Sequence, residues 1–443
     1  MYNMNKIKGR LRYSYTAAFA GFIFGFDTIV ISGVDQKLQD LWHSTDLFHG
    51  LVVVGMALWG TVIGAIFGGL PTNYFGRKKT LLWIGFLYSI SAIGSSISSD
   101  PITFAFFRFI GGVGIGISTI AAPAYISEIS APNERGKLVG YYQLNIVVGI
   151  LFAFVSNFFL KEFGDSSWRI MVGIEAIPAI VYTVMIMNIS QSPRWIYLNG
   201  DISKSEHIYE KLFSSTEKEI FLNEISETKN DFQKDDSIFN TKYRFILYLA
   251  FMIAFFNQFS GINAFLYYSP RIFQEGGLGE NSAFLSSIGI GVTNLIFTII
   301  GISLIDKLGR KVLMIIGSIG YIISLTFIFL SFLLSWGGII LPIALFLFIA
   351  AHAIGQGSVI WVYISEIFPN HIRSSGQSFG TSTHWVLAAL IPSMIPLLFS
   401  SIGASYVFLI FLLMMVFQLI FVILSMPETK GKSLETLSNE LIK

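Results

Sequence analysis

Long apolar blocks recur along the chain, separated by short polar or glycine-rich turns. They fall at 13–34, 49–70, 80–98, 102–126, 137–160 and 168–190, then at 243–270, 281–305, 311–334, 339–363, 374–398 and 402–425. Each is near or above the ~18 residues that suggest a membrane-spanning helix. In hydrocarbon every backbone polar group must be paired internally, so each block is predicted to be helical. Strand-like alternation is absent, which argues against an outer-membrane barrel. The pattern predicts an all-α membrane protein with twelve transmembrane helices. Between the sixth and seventh blocks lies a polar, mixed-charge stretch, 191–242, with helical spacing. It reads as a solvated helical linker on the cytoplasmic side. The chain then divides into a six-helix bundle over 1–190, the linker, a second six-helix bundle over 243–427, and a cytoplasmic tail over 428–443.

Composition agrees. Hydrophobic residues make up 53% of the chain and charged residues 13%, against about 25% charged in an ordinary soluble domain. Lys+Arg exceeds Asp+Glu only by 29 to 27, so nothing points to nucleic acid. Cysteine is absent, which rules out a disulfide, a zinc–thiolate site or a thiol nucleophile. No metal cluster, nucleophile–base pair or phosphate loop stands out, so neither an enzyme nor a cofactor is expected. The first block contains Asp27 and lacks a small-residue cleavage pattern, so it reads as a retained helix, not a cleaved signal. With the N-terminus in the cytoplasm, 24 of the 29 Lys and Arg residues fall on cytoplasmic segments. The positive-inside rule then places both termini in the cytoplasm of a cell's inner (plasma) membrane.

An internal repeat is visible. FGRKKTLL at 75–82 returns as LGRKVLM at 308–314, and SEISAPNERG at 127–136 returns as SEIFPNHIRSSG at 365–376. Both motifs occupy the short loops after the second and fourth helices of their half. Two six-helix halves in parallel orientation are the repeat of the major facilitator fold, with substrate held near the midplane between them.

These strings resemble those of the sugar porter family of the major facilitator superfamily. The resemblance rests on GFIFGFDTIVISG (21–33), RFIGGVGIG (108–116), SEISAPNERG (127–136), SPR (192–194), NQFSGINAFLYYSP (257–270), IDKLGRK (305–311), WVYISEIFPNHIR (361–373) and PETKG (427–431). It spans nearly the whole chain in family order. Within the family the chain looks most like bacterial proton-coupled pentose and hexose symporters. The resemblance implies a monosaccharide and a proton as co-substrates, a lipid bilayer as surroundings, and a monomer. Asn257 stands where Gln is usual, Tyr74 where Arg is common, and the chain is short for the family.

Buried ionisable groups are the most informative residues of a membrane protein. Asp27, Arg108 and Glu175 each fall some six or seven residues from the outer end of their span, roughly 10 Å below the boundary. Opposite charges at matched depth are expected to pair. Protonating Asp27 would release Arg108 and let the halves rearrange, linking sugar-driven closure to proton binding. Similarity to the symporters implies these roles, and facilitators of the family usually lack the acid at Asp27. The alternative is a static ion pair that fixes helix 1 against helix 4.

A sugar offers hydroxyls and apolar C–H faces, so its site needs amides and aromatic rings. Gln143, Asn257, Gln258, Asn263 and Asn294 supply amides; Phe24, Tyr267, Trp361 and Trp385 supply rings. Gln258, Asn294, His384 and Trp385 fall about 15–22 Å along their helices, near the midplane. The amides match sugar-contacting positions of the family, Asn257 being one methylene shorter. The competing reading of any one amide is a helix–helix hydrogen bond. His352 and His384 resemble histidines of fructose-transporting facilitators and make fructose one candidate beside xylose, glucose and galactose. At the cytoplasmic helix ends, Arg77, Glu128, Arg135, Arg310, Glu366 and Arg373 are candidates for a salt-bridge latch. A proton–sugar symporter is therefore expected. A sugar uniporter with a structural Asp27–Arg108 pair is the alternative, and a signalling receptor would need a soluble domain larger than this linker.

Overall fold

The computed structural model describes residues 2–131, 134–214, 217–218, 221, 237–369, 372–432 and 434–441. Among these residues the regular structure is entirely helical. Eleven helices are long and apolar enough to cross a membrane, and a bent pair makes a twelfth. They are α1 (Lys6–Gly33), α2 (Asp46–Val54 with Met56–Phe67), α3 (Arg77–Ile97), α4 (Pro101–Ile129), α5 (Arg135–Leu160) and α6 (Ser167–Met187). The second half repeats the series: α7 (Thr241–Tyr267), α8 (Glu280–Leu308), α9 (Arg310–Leu333), α10 (Ile340–Ile367), α11 (Arg373–Ile402) and α12 (Ala404–Leu424). Large apolar side chains such as Leu70, Trp83, Ile97, Phe159 and Leu424 stand exposed on the outside of the bundle. So wide an apolar belt fits hydrocarbon, not water.

Glycines set how closely the first-half helices approach. A Cβ built on Gly112 of α4 would lie 1.9 Å from the Ala57 carbonyl of α2. One on Gly25 of α1 would lie 1.9 Å from the Ile146 carbonyl of α5, and one on Gly149 2.0 Å from the Phe22 carbonyl. Lipid tails are as apolar as the helices, so close backbone packing rather than the hydrophobic effect holds these pairs together. That explains why a glycine-rich run, 112–116, lies inside a span.

Four spans are interrupted, α6 among them at Ile174–Glu175, between Ser167–Gly173 and Ala176–Met187. α2 bends by 43° at Gly55 after a π-helical stretch, His49–Val54. α7 breaks at Gly261, whose φ of 85° favours glycine, and continues past its span as an outer segment, Ser269–Glu275. α10 breaks at Gly355, where a Cβ would come within 2.9 Å of the Gly317 Cα on α9. Non-helical backbone at this depth is tolerated where it is enclosed by protein or lines a cavity.

The internal repeat has a physical basis at the two GRK turns. Gly76 (φ 81°) and Gly309 (φ 92°) each start a helix from the left-handed region. Gln191 Oε1 accepts the Lys78 backbone N–H at 2.7 Å. Glu428 Oε1 and Oε2 accept those of Arg310 and Lys311, both at 2.9 Å. Each first turn of α3 and α9 therefore has its otherwise unpaired donors capped by a side chain from the segment that follows its own half.

The linker departs from the solvated helix expected. Short helices at Pro193–Leu198 and Ile202–Leu212 are described, while most of 215–236 lies outside the described residues. Tyr209, Leu212 and Phe213 are buried against the first half, and Arg10 of α1 donates to the Leu212 carbonyl at 3.1 Å and pairs with Glu217 at 3.0 Å. The stretch is amphipathic, and its apolar side docks.

Gly112→Ala should separate α2 from α4 and cost about 1–3 kcal/mol, as overpacking does. Gly140→Ala in α5, where a Cβ meets nothing within 4 Å, should be neutral or slightly stabilising. Thermal unfolding of both variants in detergent checks the contrast.

Candidate functional site

Asp27, Arg108 and Glu175 meet where α1, α4 and α6 converge. Arg108 Nη1 pairs with Asp27 Oδ1, and Nη2 donates to the Asp27 backbone carbonyl at 2.8 Å. All three residues are almost completely buried. Glu175 lies beside both, its carboxyl within hydrogen-bonding reach of the Asp27 side chain and without a nitrogen or hydroxyl partner among the described residues. Asp27 Oδ2 is in the same position. Two carboxyls and one guanidinium thus share a site closed to water, and a proton taken up there belongs to the cluster, not to one residue.

The amides expected on α7 form a continuous hydrogen-bonded chain. Asn263 Nδ2 donates to Gln258 Oε1 at 2.8 Å, and Gln258 Nε2 donates to Asn257 Oδ1 at 2.9 Å. Gln258 Nε2 also lies 3.2 Å from His384 Nδ1. The His384 ring stands edge-on between Trp361, at 4.7 Å, and Trp385, at 5.1 Å, and Phe24 of the first half approaches Trp385 at 5.8 Å. The break at Gly261 lets one helix present Gln258 and Asn263 from either side of a kink. Gln143 and Asn294 sit apart from this chain, on α5 and α8, which pack against each other across the halves at Leu151 and Gly291. Asn294 accepts from Thr298 at 3.4 Å. Tyr267 reaches Thr28 of α1 and lies within the field of Arg108 and Asp27, so it joins the amide-bearing helix to the charged cluster. His352 takes a different partner: its Nδ1 lies 2.5 Å from the Tyr321 hydroxyl, between α10 and α9.

Sequence reasoning missed the outer part of the amide chain. Asn257 Nδ2 donates to Gln356 Oε1 at 3.3 Å, Gln356 Nε2 to Gln418 Oε1 at 2.6 Å, and Gln418 Nε2 to Ser318 Oγ at 2.7 Å. All three partners are fully buried. Four helices, α7, α10, α12 and α9, are threaded by this chain, which locks the amide orientation of Asn257. A lone glutamine in each of two apolar helices was the available signal.

The gating candidates pair inside each half. Arg77 meets Glu128 at 2.8 Å, and Arg310 meets Glu366 at 2.6 Å. Arg135 stacks over Phe221, and Arg373 donates to the Phe368 carbonyl at 3.2 Å. In this conformation these pairs brace each half at the end that carries the chain termini. At the opposite end the halves touch directly: a Cβ on Gly50 of α2 would lie 2.1 Å from the Ser393 carbonyl of α11.

The model of the family described as "Sugar (and other) transporter" matches residues 13–441. The chain belongs to the sugar transporter family. The arabinose-proton symporter of Bacillus subtilis is 34% identical over 97% of this chain and 94% of its own length. The D-xylose-proton symporter of Escherichia coli is 32% identical over 95% and 93%. Among solved structures, the partially occluded inward-open xylose transporter XylE of Escherichia coli superposes with a TM-score of 0.85, at 29% identity, covering 96% of this chain and 100% of that one. XylE bound to 6-bromo-6-deoxy-D-glucose superposes with a TM-score of 0.79. The twelve-helix transporter fold expected from the apolar blocks is therefore borne out.

Gln418→Leu should leave Gln356 and Ser318 each short of a partner, a loss of about 1–3 kcal/mol. By loosening Gln258 and Asn263 through Asn257, it should weaken apparent sugar affinity by about fivefold or more. Counterflow measured at a series of sugar concentrations checks this.

Proposed function

We propose that this sugar transporter imports a pentose or hexose together with a proton, by alternating access. The observation that carries the reading is the sealed Asp27–Arg108–Glu175 cluster, since an intramembrane acid without a fixed full set of partners marks a functional site. Relatives named as arabinose-proton and D-xylose-proton symporters support it. The sugar sits between the halves, its hydroxyls on Gln258, Asn263, Asn294 and Gln143 and its C–H face against Trp361 and Trp385. Asn257 acts from behind Gln258. The bound sugar draws in the outer part of α7, and Tyr267 on that segment changes the surroundings of Asp27 and Arg108. Uptake of a proton by the carboxyl pair loosens Arg108 from Asp27 and frees α1 to move against α4.

Both termini, the linker and the GRK turns face the cytoplasm of a cell's inner membrane, and the monomer is the working unit. Arg77–Glu128 and Arg310–Glu366 brace the halves while the cytoplasmic side is open, and exchange partners across the halves when it closes. The structure is read as an inward-facing state.

The test is a pH recording on unbuffered proteoliposomes given xylose, arabinose, glucose, galactose or fructose in turn. The native chain should alkalinise the outside with its own sugar. Asp27→Asn should lose both the pH signal and uphill accumulation while still exchanging sugar across the membrane. Sugar entry without a pH change, equal in the mutant, would leave a uniporter in which Asp27–Arg108 is structural.

A further inference from the structure

At the outer ends of α1, α2 and α7 a second charged cluster lies outside the sugar and proton site. Just past α1, Asp35 is almost completely buried yet carries two cationic or potentially cationic neighbours. His49, at the start of the π-helical stretch of α2, places its Nε2 2.7 Å from Asp35 Oδ1. Arg271, on the outer segment of α7, reaches across from the second half, with its Nη1 3.5 Å from Asp35 Oδ2. The same nitrogen donates to Gln39 Oε1 at 2.9 Å, and Arg271 Nε donates to Glu275 at 3.1 Å. Gln39 in turn donates to Asp46 at 2.7 Å, Ser44 Oγ lies 3.3 Å from His49 Nδ1, and Tyr268 donates to the Pro392 carbonyl of α11 at 3.0 Å.

We infer that Arg271 is the outer latch of the transport cycle, and that Asp35 and Gln39 are its receptor on the opposite half. Three observations support this. The contact crosses the halves, whereas Arg77–Glu128 and Arg310–Glu366 do not. It forms at the end where the halves are packed together, Gly50 against Ser393. Arg271 also lies on the segment that follows Asn263 and Tyr267, so a movement of the sugar-bearing helix carries it directly. Asp35 is preorganised for the arginine: His49 holds one carboxylate oxygen and leaves the other facing the second half. A guanidinium fits because Nη1 reaches the carboxylate and the amide oxygen while Nε, in the same plane, holds Glu275. Opening the outer mouth must withdraw Arg271 from both, so the pair favours the inward-facing state by differential contact, which is what shifts a two-state equilibrium.

The inference rests on the transport reading, and one preparation separates their failures. The chain has no cysteine, so Ser393→Cys provides a single thiol. Ser393 is fully buried, with a Cβ on Gly55 of α2 falling 2.3 Å from its Oγ. Right-side-out vesicles carrying this reporter are labelled from outside with a membrane-impermeant maleimide and assayed in parallel for sugar counterflow. Adding Arg271→Gln should raise the labelling rate by about fivefold or more, the lower end of usual coupling between two states. Gln39→Leu, at a half-exposed position, should shift it the same way, and Arg271→Lys should recover part of the protection. If Arg271→Gln aggregates, Gln39→Leu decides the matter alone. Unchanged labelling in the folded variants, with counterflow intact, overturns the latch. Absence of counterflow in the native reporter chain overturns the transport reading instead.

Discussion

Hydrocarbon offers a protein no hydrogen-bond partners, and the architecture of this chain follows from that constraint. Backbone groups are paired by coiling into helices. Helices approach through glycine because lipid competes with any larger apolar contact. Polar side chains that remain inside have to find one another. Three such groups link several helices: the carboxyls and guanidinium around Arg108, the amides running from Asn263 to Ser318, and the outer cluster around Asp35. Each group joins several helices, and each is a place where a change of partner moves helices.

The groups differ in how completely they are satisfied. The amide chain on α7, α10, α12 and α9 is closed by hydrogen bonds from end to end. It fixes the orientation of Asn257 behind Gln258. The cluster at Asp27 sets two carboxyls against each other, with oxygens that no nitrogen or hydroxyl donor reaches among the described residues. The outer cluster combines a tight intra-half contact, His49–Asp35, with a longer inter-half one, Arg271–Asp35. The longer contact is the natural one to break. The three groups are also close along one helix. Asn263, Tyr267 and Arg271 sit on successive turns of the broken α7, one in each group's reach.

Much of this was legible beforehand. Twelve spans, the two halves, the repeat and the pairing of Asp27 with Arg108 follow from residue type and depth alone, because a buried charge in a membrane has few possible partners. The meeting of Gln258, His384 and Trp385 was also expected from their types and heights, whereas Asn294, expected at the same height, sits apart on α8. Other features were not. Gln356 and Gln418 looked like isolated polar residues until α10 and α12 were placed side by side. Gln191 and Glu428 cap the GRK turns from residues far along the chain, which no local pattern signals. The linker's docking face was hidden because its charges dominate its composition.

The sequence by itself determined what must be buried in the membrane and which buried groups could not remain alone. Periodicity, charge and depth are local properties, and hydrocarbon punishes their violation strongly enough to make them reliable. Only the tertiary structure decided which partner each group takes when more than one is available. Glu128 pairs with Arg77 of its own half, and Arg271 leaves its own half for Asp35. Such choices depend on the relative position of two rigid bundles. That position changes during transport, so no single arrangement of partners is written into the residues themselves.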